Sequence, residues 1–126
     1  MTEAPEKLQR MVMEVRRGAL TLAVLLALGE PHYGYSLRKK LAQQGLEIDE
    51  GTLYPLLRRL EDQGLLSSDW RQEEGRRRRF YQIDDTGEIA LAAMRSEWQS
   101  LNDVIGQLAS KMESMESGDG VNGDSD

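Results

Sequence analysis

The stretch Asp49-Glu50-Gly51-Thr52-Leu53-Tyr54-Pro55-Leu56-Leu57-Arg58-Arg59-Leu60 decides the fold. Leu53, Leu56, Leu57 and Leu60 fall on one side at helical spacing, with Gly51, Pro55, Arg58 and Asp62 opposite and Tyr54 and Arg59 on the flanks. A core face and a reading face are therefore separable on one short helix. Asp49 is placed to cap it, and Glu50 sits well at the positive end of its dipole. Pro55 removes a helical donor and crowds the carbonyl four residues earlier. That residue is Gly51, near the helix start, so a local bend rather than a break is expected.

Downstream, Gly64 ends the helix, residues 65–72 alternate loosely enough for an edge strand, and Phe80-Tyr81-Gln82-Ile83 makes a return strand. Between them Glu73-Glu74-Gly75-Arg76-Arg77-Arg78-Arg79 reads as a loop tip whose arginines repel one another unless an anion is near. Upstream, a helix over about Tyr35–Gln44 places Leu37 and Leu41 on one face while Arg38, Lys39 and Lys40 look outward. Gly45 ends it, and Leu46-Glu47-Ile48 is expected to be a short link that pairs briefly with the hairpin. Two helices, a short connection and a basic hairpin form a winged helix, which points to a reader of nucleic acid.

Nearer the N-terminus, Leu8, Met11, Val12 and Val15 follow helical spacing as far as Arg17-Gly18. Leu20 to Leu28 is then apolar on almost every face and reads as a buried helix, stopped by Gly29-Glu30-Pro31. Val12, Val15 and Tyr35 are expected in the core and His32 in a turn. Beyond Thr86, Leu91, Met94, Trp98, Leu101, Ile105, Leu108, Met112 and Met115 keep strict heptad phase. A helix over about 85–111 would be ~40 Å long, more than the body covers. Each large seam residue left in water forfeits ~1.5–3 kcal/mol of burial, so the helix needs a partner, most simply its own copy. The expected fold is mainly α with a small β-wing: a winged helix-turn-helix plus a long C-terminal dimerisation helix. Residues 1–84 form the winged-helix domain with its N-terminal arm, 85–113 the dimerisation helix, and 114–126 a disordered acidic tail.

Net charge is −6, which by itself opposes binding a polyanion. The charge is unevenly placed: Arg16 to Tyr81 carries 12 Lys/Arg against 9 Asp/Glu, whereas Gln82 to Asp126 carries 2 against 10. Fields act over a Debye length of ~8–10 Å, so the winged-helix region is locally basic. With no cysteine and one histidine, neither a disulfide nor a thiolate or multi-histidine metal site is available. The longest apolar run, Ala19 to Leu28, is too short to span a bilayer and too far in for a secretory signal, so the chain reads as cytoplasmic, without a membrane partner. No nucleophile and base can be assembled and no glycine loop cradles phosphate, so an enzyme is not indicated and no cofactor is expected.

The segments Arg17-Gly18-Ala19-Leu20, His32-Tyr33-Gly34-Tyr35-Ser36-Leu37, Glu50 to Glu61 with its Gly-Thr-Leu-Tyr-Pro run, Gly64-Leu65-Leu66 and Arg79-Phe80-Tyr81 resemble the PadR-type transcriptional regulators. These are bacterial dimeric winged-helix proteins, usually repressors. The single C-terminal helix is similar to the short-tailed branch, in which it mediates the dimer. Some multidrug-sensing members of the family stack planar compounds between tryptophans of the two copies. That resemblance implies a tentative site for a planar aromatic or phenolic ligand at Trp98, with Met94, Leu91, Leu8 and Met11 as neighbours, and it places Trp70 at the base of the wing. The chain departs from the family in its larger number of wing arginines and in Phe80-Tyr81, where a Tyr-Tyr pair is usual.

The expected partner is double-stranded DNA carrying a pseudo-palindromic operator, bound by a homodimer. Thr52 and Tyr54 would offer hydroxyls to phosphates, beside Pro55 on the same helix. Arg58 would reach a base edge or a phosphate, and Arg76, Arg77, Arg78 and Arg79 phosphates or the minor groove. Arg38 and Lys39 either touch the backbone beside their helix or form a plain solvated face. Arg59 is read equally as a salt-bridge partner of Glu61 or Asp62. Trp98 on a heptad seam is first a packing residue. The alternative function is a winged-helix protein-interaction module that does not bind DNA.

Overall fold

The computed structural model describes residues 3–117. Its elements are α1 (Glu3–Ala27), α2 (Gly34–Gln43), α3 (Glu50–Asp62), β1 (Leu66–Glu73), β2 (Arg76–Ile83) and α4 (Asp85–Ser117). The described residues fall into two compact units that divide between Ala92 and Ala93. No described helix is long and apolar enough to cross a membrane.

The first unit is built on the leucine face of α3: Leu53, Leu56, Leu57 and Leu60 are all buried. They share a core with Val24 and Leu25 of α1, Leu28 just beyond it, Leu37 and Leu41 of α2, and Leu66, Tyr81 and Ile83 of the wing. Full burial of a leucine removes ~1.5–3 kcal/mol of exposed apolar surface, so this cluster is the main source of stability. Asp49 caps α3 by accepting from Thr52 N at 2.9 Å. This hydrogen bond holds its carboxyl below the usual carboxylate range. Pro55 lies within α3, which continues unbroken through it.

The N-terminal arm and the buried segment after Arg17-Gly18 form one helix, α1, because a single glycine costs only ~1 kcal/mol relative to alanine. Three expectations are corrected. Val12 and Val15 are exposed rather than core, since the buried positions of α1 are confined to its last turns. Tyr35 is exposed as well; Gly34, Leu37 and Leu41 form the inward stripe of α2 and Tyr35 lies off it. Leu46-Glu47-Ile48 does not pair with the wing, because its backbone is already committed. Leu46 N donates to Leu41 O at 2.9 Å, Arg16 donates to Glu47 O at 3.0 Å, and Arg38 Nε donates to Ile48 O at 3.2 Å. The residue that pairs beside β2 is instead His32, which exchanges backbone hydrogen bonds of 3.0 and 2.8 Å with Tyr81.

The wing is a two-stranded antiparallel ribbon in which Glu73 faces Arg76 and Leu66 faces Ile83. Glu74 and Gly75, at φ 53° and 78°, make the two-residue turn with positive φ that matches the twist of the flanking strands. Ile83 N donates to Leu28 O at 2.8 Å and Asp84 N to Leu65 O at 3.1 Å, which ties the ribbon's base to the body. Asp84 then caps α4 by accepting from Gly87 N at 2.9 Å.

In the second unit α4 runs on to Ser117, and residues 114–117, expected in the tail, are helical. The rest of the expected tail, residues 118–126, lies outside the described residues. Along this part of the helix Trp98, Leu101, Ile105, Leu108, Met112 and Met115 are all exposed, from 44% at Trp98 to 74% at Met115. Val104, between two seam positions, is exposed too.

Candidate nucleic-acid interface

α3 presents Gly51, Thr52, Pro55, Arg58 and Arg59 to solvent, opposite its leucine face. Among the described residues neither Arg58 nor Arg59 has a carboxylate partner, so the salt bridge considered for Arg59 is not formed. Glu61 instead accepts from Ser68 Oγ at 2.5 Å and from Arg79 at 3.5 Å. Arg38 is engaged within its own motif: besides Ile48 O it reaches Glu50 at 3.2 Å, which fixes the connection between α2 and α3. Lys39 is exposed. Lys40 pairs with Glu30 at 2.8 Å and, with His32 beside it, holds that carboxyl below its ordinary range.

The wing arginines are not in a loop tip. Arg76 to Arg79 are all in β2, paired with Glu73, Gln72, Arg71 and Trp70 of β1. Alternation along a strand sends successive side chains to opposite faces, so four adjacent guanidiniums are split into two pairs. On one face Trp70 carries Arg77 at 4.9 Å and Arg79 at 5.5 Å from its ring centroid. On the other, Arg78 lies 4.4 Å over Tyr33 and Arg71 lies 4.9 Å over Phe80, with Tyr33 and Phe80 edge to face at 5.2 Å. Aromatic faces attract guanidinium through the ring quadrupole, by ~0.5–1 kcal/mol at exposed sites, without cancelling its charge. Arg79 alone of the four has a carboxylate partner, Glu61.

Between α3 and the wing lies a groove of about 280 Å³. One wall is Tyr33, Gly34 and Tyr54; the other is Trp70, Arg77, Arg78, Arg79 and Tyr81. Tyr54 is half-buried because its ring lies against the backbone of Gly34, where a Cβ would approach its Cζ to 2.5 Å. Burial pushes the Tyr81 phenol up, so it remains protonated. Arg78 Nε is buried without a hydrogen-bond partner, the one such side-chain atom among the described residues. An unmet donor of this kind costs ~1–3 kcal/mol.

Thr52, Tyr54, Pro55 and Arg58 thus share one helix, and Tyr54 meets Arg77, Arg78 and Arg79 across the groove. Sequence reasoning missed Tyr33 and Gly34; the fixed spacing of Tyr33-Gly34 before Leu37 was the available signal. Of the residues expected around a ligand, Leu8 and Met11 are about 60% exposed on α1 and Leu91 is half-buried in the first unit. Met94, half-buried, and Trp98 belong to the second.

The signature of the transcriptional regulator PadR-like family matches residues 22–93. The transcriptional regulator Rv3488 of Mycobacterium tuberculosis is 40% identical over 96 residues, covering 74% of this chain and 89% of that protein. A PadR family transcriptional regulator of Eggerthella lenta superposes with a TM-score of 0.77 at 42% identity, over 86% of this chain and 97% of the other. A PadR-like regulator of Bacillus cereus gives a TM-score of 0.70 at 28% identity, over 76% and 96%. The chain belongs to the PadR-like family of transcriptional regulators, with the winged helix as its DNA-binding element.

Proposed function

We propose that the protein is a homodimeric repressor of its own or an adjacent operon. Each copy sets α3 in the major groove of one half-site of a pseudo-palindromic operator and lays its wing alongside. The observation that carries the DNA contact is that Arg58, Arg76, Arg77 and Arg78, on the exposed face of α3 and on the wing, have no carboxylate partner among the described residues. Thr52 and Tyr54 add hydroxyl donors for phosphates, and Pro55 shapes the same face. Arg38, held by Ile48 and Glu50, acts by fixing the helix-turn-helix connection, leaving Lys39 as the exposed cation of α2.

Dimerisation is supported by the apolar row of α4, from Leu91 and Met94 through Trp98, Leu101, Ile105 and Leu108 to Met112. Most of it is left in water in the single chain. The test is a gel shift on the DNA upstream of the protein's own gene across a salt series, with sedimentation of the complex. A two-to-one complex with a steep salt slope is expected; absence of any shift at low salt overturns the reading.

Release by a planar aromatic or phenolic compound seated at Trp98, near Met94, Leu91, Leu8 and Met11, completes the proposal. Half-sites lie ~34–36 Å apart, so a small rotation of one copy against the other forfeits contacts on one side. Quenching of Trp98 fluorescence by a panel of such compounds is expected; indifference to the panel removes the ligand from the proposal.

A further inference from the structure

We propose that the cavity between α1 and the 46–48 link, which joins α2 to α3, is a seat for a free α-amino acid with an apolar side chain. Its carboxylate would sit on Arg16 and its ammonium on Glu47. The cavity measures about 270 Å³ and is lined from α1, α2, the link and the start of α3. That is the bottom of the ~300–1,000 Å³ range of small-molecule pockets, so it suits a small metabolite. Met13, Leu20 and Ile48 give it an apolar wall.

The charges decide the class of occupant. Four charged side chains line the cavity, and two are already spent: Arg38 on Ile48 O and Glu50, and Asp49 on the first turn of α3. The other two are left over. Arg16 crosses from α1 to donate to the main-chain oxygen of Glu47 at 3.0 Å, not to its carboxylate. Neither the Arg16 guanidinium nor the Glu47 carboxylate has an ion-pair partner among the described residues. The bond to Glu47 O leaves Arg16 further N–H donors for a ligand carboxylate. A simple anion in the cavity would meet Glu47 and Asp49, and a simple cation would meet Arg16 and Arg38. A neutral apolar molecule would cover both leftover charges without pairing them, which is costly. A molecule with both charges and an apolar group answers all three walls.

The seat is placed to be felt by α3. An occupant held on Arg16 and Glu47 ties α1 to the link, and Asp49, the cap of α3, follows two residues beyond Glu47. Ordering the link in advance leaves less to be ordered on DNA, so occupancy should tighten duplex binding. This consequence alone rests on the DNA-binding reading.

The test is isothermal titration calorimetry on the full chain, without DNA, using L-leucine, 4-methylpentanoate and 3-methylbutylamine. The second is leucine without its amine, and the third is leucine without its carboxylate. Leucine should bind, and each truncated compound at least about 10-fold more weakly, the loss of one charge-assisted hydrogen bond. Glu47→Gln keeps the main-chain oxygen that Arg16 uses, and in it the advantage of leucine over 4-methylpentanoate should vanish. In Arg16→Ala the advantage of leucine over 3-methylbutylamine should vanish. A variant that merely misfolds would lose all three compounds alike, not one charge preference at a time. No binding of leucine at millimolar concentration overturns the seat. So does 4-methylpentanoate matching leucine on the parent chain, or leucine keeping its advantage in Glu47→Gln.

A duplex titration with and without saturating leucine reads the coupling. Several-fold tighter binding is expected, and unchanged affinity overturns the link to α3. If no duplex binds while leucine binds through Arg16 and Glu47, the DNA reading falls and the seat stands.

Discussion

Replacing Gly34 by alanine tests whether the wall of the groove is held by the contact between α2 and Tyr54. The three atoms nearest to a Cβ at Gly34 all belong to Tyr54, with Cζ at 2.5 Å and Cε1 at 2.6 Å. Ordinary carbon contacts are ~3.5–4.0 Å, so the ring must retreat by about 1 Å or leave its place. Overpacking of this kind costs ~1–3 kcal/mol. Alanine offsets part of it, since glycine within a helix is worth ~0.5–1 kcal/mol less. A net loss of ~1–2 kcal/mol is expected, which in a domain of this size lowers the melting temperature by roughly 4–8 °C per kcal/mol. The decisive measurement is a double-mutant cycle by urea denaturation. In a Tyr54→Ala background the added methyl meets no ring, and Gly34→Ala should become neutral or slightly stabilising, giving a coupling of ~2 kcal/mol. An equal cost of Gly34→Ala in both backgrounds would refute the reasoning. The same variant should bind duplex DNA more weakly, because the displaced ring no longer lines the groove it shares with the wing arginines.

Trp70→Ala leaves every charge in place but frees Arg77, whereas Arg79 stays tied to Glu61 and Ser68. Reordering one such side chain costs ~0.5–1.5 kcal/mol, so duplex affinity should fall roughly 2- to 13-fold with an unchanged salt slope; a flatter slope would contradict this. Asp49→Asn keeps an acceptor at the cap of α3 but removes its charge. The carboxyl of Asp49 is depressed in the folded chain by its bond to Thr52, so its contribution is present above the ordinary aspartate range and fades as pH falls below ~4. The parent should therefore lose its stability advantage over the variant below that pH, and a difference that stays constant from pH 7 to pH 3 would contradict the assignment. Ile105→Glu places a charge on the exposed row of α4. Each copy forfeits ~1.5–3 kcal/mol of burial, twice in a symmetric pair, so the dimer should weaken at least about 100-fold; an unchanged sedimentation profile would place the interface elsewhere.

The helix-turn-helix was legible because its information is local. Leu53, Leu56, Leu57 and Leu60 repeat at helical spacing, Asp49 is a cap by its chemistry, and Gly45 and Gly64, both at positive φ, end their helices where the sequence placed them. The errors arose where a distant residue decided the outcome. The 46–48 link looked free to form a strand, but its carbonyls are taken by Arg16 from α1 and Arg38 from α2, at separations of 31 and 10 residues. Tyr35 looked apolar enough for the core, but the stripe of α2 is set by which residues meet α1 and α3. The wing was read too short because a run of arginines resembles a solvated loop, and Glu74-Gly75 is a weaker hairpin signal than Asn-Gly or Asp-Gly.

Four arginines in a row pose an electrostatic problem, and the way the fold meets it bears on function. Carboxylates could neutralise them, and Glu73, Glu74 and Asp69 are near in sequence, but among these Asp69 pairs with Arg71 and the other two with none of the four. Alternation along β2 instead separates the guanidiniums onto two faces, and Trp70, Tyr33 and Tyr81 receive those of Arg77, Arg78 and Arg79 through ring quadrupoles. A carboxylate partner would cancel the outward field and would have to be displaced by a phosphate. An aromatic partner orders the guanidinium and leaves its charge for the ligand. The exception supports the distinction: Arg79, closest to the body, is tied to Glu61 at the end of α3 and to Ser68, so it fastens the wing to the helix it flanks. A chain with net charge −6 can thus present a cationic surface, because the wing, residues 66–83, carries five arginines against Asp69, Glu73 and Glu74, while much of the acidic excess of the sequence lies beyond Gln82.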